Sequence, residues 1–207
     1  MLKRIGFYLL VLMAISTIVI AAPEAKKGAI RGRFAYAKYQ ETQYTNSGCG
    51  EFEIVFRPAA KFESGVGVGY YLTKSNGNWL SPGNFYQMPI DILFHVVPNP
   101  NGKVSPYFGG GASYIIFNYQ MNAQEALSNL GFEASEEVKN SFGYFAGGGV
   151  DISLSPKIGL NIDVKYRMIN ANATATIRDT FSGITASDST TLKVNGFVLG
   201  GGITILF

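Results

Sequence analysis

The chain has 207 residues, a formal net charge of +3 and a single cysteine. So weak a net charge excludes the strongly basic surface that is typical of proteins that bind nucleic acid. The lone Cys49 excludes a disulfide framework and a cysteine-based zinc site. The length suits one folded domain, and no linker of distinct composition divides it.

The first 21 residues have the pattern of a secretory signal peptide. Lys3 and Arg4 provide a positive start, residues 5–20 are mostly apolar, and a cleavage pattern ends at Ala21. The alternative is a single membrane anchor, since the apolar run approaches the ~18 residues that span a bilayer. The β-type pattern of the rest of the chain favours the signal peptide. We therefore predict a cleaved signal peptide at 1–21 and one exported domain at 22–207.

Apolar and polar residues alternate along the remaining chain, which is the pattern of β-strands with two different faces. The clearest segment is LNIDVKYRM at 160–168, where every second residue is apolar. The phase of the glycine-rich fifth segment is ambiguous, and we favour outward Phe108 and Tyr114. The predicted strands lie near 30–37, 51–57, 65–73, 86–96, 105–119, 142–153, 160–168 and 193–207.

The connections between these segments alternate in length. Longer polar loops follow the odd-numbered segments, and the longest are 120–140, with two helical turns at 123–130, and the Thr/Ser/Ala-rich 170–190. Short turns with proline follow the second, fourth and sixth segments, at 58–64, 98–102 and 155–157.

Eight strands with alternating short and long connections predict an all-β fold, an eight-stranded antiparallel up-and-down transmembrane β-barrel. The alternative is a soluble barrel of the lipocalin type, which would keep its apolar face inside. Eight strands leave an interior only just wide enough for side chains. The many aromatic residues would overfill it, so we place the apolar face outside, against lipid.

The polar face of the strands then lines the lumen. It carries five cations and five carboxylates, whereas an ion-selective channel is expected to show a bias of sign. We predict a network of paired charges that fills the bore. Its members are Arg31, Arg33, Glu51, Glu53, Arg57, Asp91, Asp151, Asp163, Lys165 and Arg167.

The last segment has an unbroken outward face that includes Ile203, Ile205 and Phe207. It resembles the closing strand of bacterial outer-membrane barrels, whose terminal aromatic residue is read by the assembly machinery. This resemblance implies an assembly signal at these three residues.

A second resemblance lies between Met88 and Tyr114. A strand, the turn PNPNGK and the sequence PYFGGGASY are similar to the outer-membrane β-barrel family that includes OmpW, OmpX and the OmpA barrel. The resemblance implies the bacterial outer membrane, contact with its lipid and lipopolysaccharide, and assembly by the barrel machinery. It also implies a monomer with no cofactor, no metal and no catalytic residues.

Three functions remain open at this point. We favour a non-catalytic protein with a structural, adhesive or envelope-stress role. The second hypothesis is a narrow transporter for small apolar molecules, like OmpW. The third is an enzyme that modifies lipid A, with His95 and Asp91 as its acid–base pair. These two residues are four apart on one strand, a separation of ~13 Å, which is too long for a hydrogen bond.

Overall fold

The computed structural model describes residues 28–77, 81–122 and 124–207. The signal peptide predicted at 1–21 lies outside these ranges, as does residue 123 of the predicted helical turns. No helix within the described ranges is long and apolar enough to cross a membrane.

The described chain forms ten β-strands and one short helix. In chain order these are β1 (Gly28–Tyr39), β2 (Ser47–Ala59), β3 (Phe62–Ser75), β4 (Gly83–Val96), β5 (Val104–Met121), α1 (Gln124–Asn129), β6 (Phe132–Val138), β7 (Ser141–Ser153), β8 (Ile158–Asp179), β9 (Thr185–Lys193) and β10 (Gly196–Leu206).

Eight of these strands form a closed antiparallel ring in the order β1, β2, β3, β4, β5, β7, β8, β10. The ring closes because β10 pairs with β8 on one side and with β1 on the other, as in the pair Ala29 and Leu206. Closure leaves no free edge in the ring. The predicted eight-stranded antiparallel barrel is confirmed.

Successive side chains point to opposite sides of the wall, and the apolar set points outward. On β1, Arg31 and Arg33 are buried, whereas 87% of the Phe34 side chain is exposed. On β5, Tyr107 is buried and Phe108 is exposed, which is the phase that we favoured. An apolar outer band around a polar interior is the arrangement of a membrane barrel.

The connection predicted at 170–190 is wrong as a loop. β8 continues to Asp179 and pairs there with β6 and β9 in a small three-stranded extension. Hydroxyl pairs join β8 to β9, with Thr174 to Ser189 at 3.0 Å and Thr176 to Ser187 at 3.1 Å. Threonine favours strands. The serine and alanine residues around it gave the segment the composition of a loop, and for that reason the strands were not predicted.

Two other connections also differ from prediction. β6 lies inside the predicted loop 120–140, after α1, which accounts for the predicted helical turns. The turn predicted at 58–64 is shorter, because β3 begins at Phe62. Glu63 is therefore a strand residue, and its side chain faces the lumen.

The short turns and both ends of the described barrel lie at one end, which we call the short-turn end. The β6–β8–β9 extension lies at the opposite, long-loop end. The lumen therefore opens among short turns at one end and beside the extension at the other. The side chains that line the lumen also differ between the two ends.

Candidate functional site

Most buried side chains of the interior fall into two layers of different chemistry, and two smaller apolar clusters, around Leu93 and around Tyr71, accompany them. The layer towards the short-turn end, called the ionic layer, contains all ten charged residues that the sequence places in the lumen, and each is buried. The structure adds an eleventh, Glu63. The members of the ionic layer are Arg31, Arg33, Arg57, Lys165, Arg167, Glu51, Glu53, Glu63, Asp91, Asp151 and Asp163.

The lowest part of the ionic layer is built around Arg31. Its Nη2 lies 2.8 Å from Oε2 of Glu63 and 2.7 Å from Oδ2 of Asp151. Nη2 of Arg57 lies 2.8 Å from Oε1 of Glu63, and Nη1 of Arg57 donates to the carbonyl of Pro100 in the turn after β4. Four strands and a turn are thereby joined across the bore.

The middle of the layer joins β1, β2 and β8. Arg33 lies opposite Glu51 on the neighbouring strand and binds both Glu51, at 3.2 Å, and Glu53. Nζ of Lys165 reaches the same two carboxylates from across the barrel, at 3.0 and 3.1 Å. Each carboxylate therefore has at least two cationic partners, as buried carboxylates need.

The upper part of the layer is built around Arg167, which reaches Asp91 at 2.6 Å and Glu51 at 3.4 Å. The Ser113 hydroxyl donates to Asp91, and Nη1 of Arg167 donates to Ser113. The guanidinium also lies 5.2 Å from the centroid of the Phe145 ring, within cation–π range. Arg167 is thus the last ionic contact below the apolar part of the lumen.

Inward glycines make room for large side chains within this narrow bore. A Cβ on Gly111 would lie 2.7 Å from the Phe145 ring. A Cβ on Gly149 would lie 2.5 Å from the hydroxyl of Tyr107, which packs under Arg31 with the guanidinium 4.5 Å from its ring. The glycine runs therefore serve packing, as glycines in strands often do.

The ionic layer has six carboxylates against five Lys and Arg side chains among the described residues. Sequence analysis missed Glu63 because it placed that residue in a turn. His95 lies beside it, with Nδ1 3.7 Å from Oε2 of Glu63. Asp91 instead binds Arg167. The structure therefore does not bring His95 and Asp91 together as an acid–base pair.

The layer towards the long-loop end, called the apolar layer, was not predicted. It is a cluster of buried side chains that belong to the long-loop ends of the barrel strands and to the base of the extension. Its members are Tyr44, Phe85, Ile115, Phe117, Val138, Ile169, Ala171, Ala173, Leu192 and Val194.

Three aromatic rings of the apolar layer are stacked face to face. Phe85 lies between Tyr44, at 5.5 Å and 16° between planes, and Phe117, at 5.3 Å and 6°. Phe85 and Phe117 belong to barrel strands, whereas Tyr44 belongs to the loop between β1 and β2. Burial raises the pKa of the Tyr44 hydroxyl well above its usual range. The loop thus covers the apolar layer with a neutral ring.

The barrel wall is interrupted beside the boundary between the two layers. The β3–β4 ladder pairs Val68 with Ile90 and then Tyr71 with Gln87, and omits Pro89 and Gly69 between them. Proline has no N–H for a ladder, and the Tyr71 ring packs over Gly69, 2.7 Å from where a Cβ would lie. The β3–β4 pairing is therefore interrupted at this point, and side chains cover the interruption from inside.

Cavities lie on both sides of this interruption. An internal cavity of about 20 Å³ is lined by Pro89, Ile115, Ile169 and Arg167, so it touches both layers. A groove of about 460 Å³ lies on the outer face, beside Tyr70 and other residues of β3, β4 and β5. The internal cavity has room for one small group, and a larger molecule would need side chains to move.

The residues of the assembly signal predicted from sequence lie on the outer wall. Ile203 and Ile205 of β10 are about half exposed, as is Phe207. The Phe207 ring packs edge-on against Phe56, with centroids 6.0 Å apart, and its backbone pairs with Gly28. No group of three or more His, Cys, Asp or Glu side chains in the described ranges is arranged to hold a metal ion.

Solved structures with this architecture are bacterial outer-membrane proteins. OprG of Pseudomonas aeruginosa is 20% identical, with a TM-score of 0.65 over 88% of this chain and 96% of its own. Neisserial surface protein A is 16% identical, with a TM-score of 0.60 over 87% and 97%. AlkL is 16% identical, with a TM-score of 0.56 over 91% and 94%. At these identities the likeness concerns the fold.

The family of the chain is identified from its sequence. None of the curated proteins compared with the chain matches it. The profile of the OmpW family, however, matches residues 71–207, which is about two thirds of the chain. The matched part includes five of the eight barrel strands in full and the end of β3, together with Pro89 and the extension. The chain therefore belongs to the OmpW family of β-barrel proteins and is a protein of the bacterial outer membrane.

Proposed function

We propose that the protein passes small apolar molecules through the outer leaflet of the outer membrane and performs no chemistry on them. The observation that carries this proposal is the division of the lumen into an apolar layer and an ionic layer. In barrels of this kind the long loops face outward from the cell. An apolar molecule arriving from outside would therefore meet the apolar layer first.

The ionic layer closes the direct path along the barrel axis. A neutral molecule passing through it would separate charges from their partners, and unpaired buried charges are costly. Ions face the opposite barrier, because the apolar layer cannot replace their hydration. The axis is thus closed to both classes of solute.

The interruption at Pro89 offers an exit to the side. It lies at the floor of the apolar layer, where the internal cavity touches Ile115 and Ile169. The groove beside Tyr70 lies on the outer face, where a membrane barrel contacts lipid. A molecule that left the lumen there would enter the hydrocarbon of the bilayer and would never meet the ionic layer.

The favoured role from sequence, a structural, adhesive or envelope-stress protein, was based on the balanced lumen charges. Those charges occupy only one layer, so they no longer argue against transport. Membership of the OmpW family supports the transporter, which was our second hypothesis. The separation of His95 from Asp91 supports a protein without catalysis.

The test is uptake of a labelled apolar molecule, methylcyclohexane, by cells that carry the protein and by cells that lack it. Pro89→Ala restores an N–H to the β3–β4 ladder, and we expect it to slow uptake several-fold. Pro106→Ala is the matched control, because Pro106 faces outward from β5 and its pairing with Val150 is intact. Equal uptake with and without the protein would overturn the proposal.

A further inference from the structure

The stacked rings of the apolar layer suggest which apolar molecules enter. Tyr44, Phe85 and Phe117 lie nearly parallel, with centroid separations of 5.5 and 5.3 Å. Stacked rings select for flatness, because a planar molecule fits between two faces and a puckered ring of equal carbon number is thicker. Aromatic pairs also gain energy beyond the area that they bury.

One ring of this stack differs from the others in how it is held. Phe85 and Phe117 are fixed by the ladders of β4 and β5. Tyr44 is the one buried residue in the loop 40–46. Its ring can therefore leave the stack without any break in the barrel.

The loop rests on the end of β3 through backbone and side-chain hydrogen bonds and one isolated β-bridge. The Thr45 N–H donates to the carbonyl of Lys74 at 3.0 Å, and the Asn76 N–H donates to that of Gln43 at 2.8 Å. The side-chain oxygens of Thr45 and Thr73 are 3.4 Å apart. The Thr73 side chain is buried, whereas Thr45 is partly exposed and Lys74 is exposed. Water can therefore replace the bonds between Thr45 and Lys74 when the loop moves.

We propose that Tyr44 is a displaceable ring, and that the molecules admitted are small planar aromatic compounds that take its place on the face of Phe85. This inference depends on the proposed function, because it names the class of molecule that the apolar layer passes. When the loop moves outward, the vacated space has the size and orientation of one six-membered aromatic ring. The admitted molecule then lies above Ile115 and the cavity beside Pro89.

The first test compares toluene with methylcyclohexane, which has the same carbon skeleton but is not planar. Cells that carry the unmutated protein should take up toluene roughly three- to tenfold faster, after correction for cells that lack it. Phe85→Leu keeps an apolar side chain but removes the flat face. We expect this variant to bring the ratio of toluene uptake to methylcyclohexane uptake close to one.

The second test fixes the loop. Thr45→Cys and Thr73→Cys, in a Cys49→Ala background, should form a disulfide that holds the loop on β3. Oxidation should abolish the uptake of toluene, and reduction of the same sample should restore it. A heat-modifiability gel on each variant checks that the barrel is folded.

The possible outcomes separate this inference from the proposed function. If the unmutated protein takes up both hydrocarbons at one rate, or if the oxidised loop leaves uptake unchanged, the displaceable ring is wrong and the transporter stands. If it takes up neither, both proposals are wrong. A ratio that Phe85→Leu leaves unchanged would also overturn the role of the stack.

Discussion

The ionic layer and the apolar layer are built from the same strands, yet they have opposite chemistry. On β8 the inward side chains run from Asp163 through Lys165 and Arg167 to Ile169 and Ala171. The change occurs between two successive inward positions, at the height of the wall interruption. One strand therefore contributes side chains to the layer that blocks passage along the axis and to the layer that can admit apolar molecules.

The two layers also differ in how firmly their parts are held. Ion pairs and hydrogen bonds hold side chains in defined positions. The single side chain of Arg167, for example, contacts Asp91, Glu51 and Ser113. Apolar contacts have no preferred direction, so a ring such as that of Tyr44 can be replaced by another apolar group. We infer that the ionic layer is rigid and that the apolar layer can rearrange.

The largest effect is expected from breaking the ionic layer. Lys165→Ala together with Arg167→Ala leaves Glu51 and Asp91 short of cationic partners, and removal of a buried partner costs about 3–5 kcal/mol. Denaturant unfolding in lipid should show at least that loss, and planar bilayers should show a new cation leak. Lys139→Ala with Lys193→Ala is the exposed control, with an expected loss below about 0.5 kcal/mol. Similar losses in both variants would mean that the ionic layer does not stabilise the barrel.

The next effect tests which side of the wall faces lipid. Val164→Arg places a charge on the outer face of β8 near the middle of the bilayer, at an expected cost of about 2–4 kcal/mol. Asn172→Arg, on the same face of the same strand but in the extension, is the control and should be nearly neutral. Unfolding in lipid measures both, and equal losses would show that the barrel section of β8 does not lie within the hydrocarbon.

A smaller effect separates the two layers directly. Ile115→Val removes one methylene group from the apolar layer, which typically costs about 0.5–1.5 kcal/mol. Asp91→Asn also changes the side-chain volume very little, but it removes the charge that pairs with Arg167. The loss of unfolding free energy should therefore be larger, about 1.5–3 kcal/mol for a charged hydrogen bond. Denaturant unfolding of the two variants, side by side, checks this order. The reverse order would contradict a rigid ionic layer.

The smallest effect on stability is expected at the closing strand. Removal of Phe207 deletes one outward ring that packs on Phe56, and refolding in detergent should be nearly unchanged. The yield of folded barrel in cells should fall much further, if this residue forms part of an assembly signal. Quantitative blotting of outer membranes measures the yield, with Phe108→Ala as an outward aromatic control. An unchanged yield would remove the reason to assign a signal to Phe207.

The fold and the ionic layer were accessible from the sequence because a strand has a period of two. Once the outward set is identified, every charged residue of opposite parity must lie inside, as Arg31 and Asp163 do. Glu63 was missed for a local reason, since β3 begins earlier than its composition indicates. The partners across the bore could not be predicted, because alternation does not specify how far apart two strands lie around the ring.

The apolar layer was missed because its parts come from places that sequence patterns treat as unrelated. Tyr44 lies in a polar loop, and Ala173 lies in the segment predicted as a loop at 170–190. One signal was present: Phe85 and Pro89 share the parity of Asp91, so an aromatic ring and a proline face inward above the charges. A proline in the middle of a barrel strand also indicates a break in pairing.

The most direct test of the two-layer lumen is the ion conductance of the unmutated protein in planar bilayers. Paired charges that fill the bore, below a layer that cannot hydrate ions, predict little or no conductance at any voltage. The barrel should be folded in the same preparation, as shown by heat modifiability. A large, steady conductance would contradict the ionic layer as a barrier and would favour a water-filled channel along the axis.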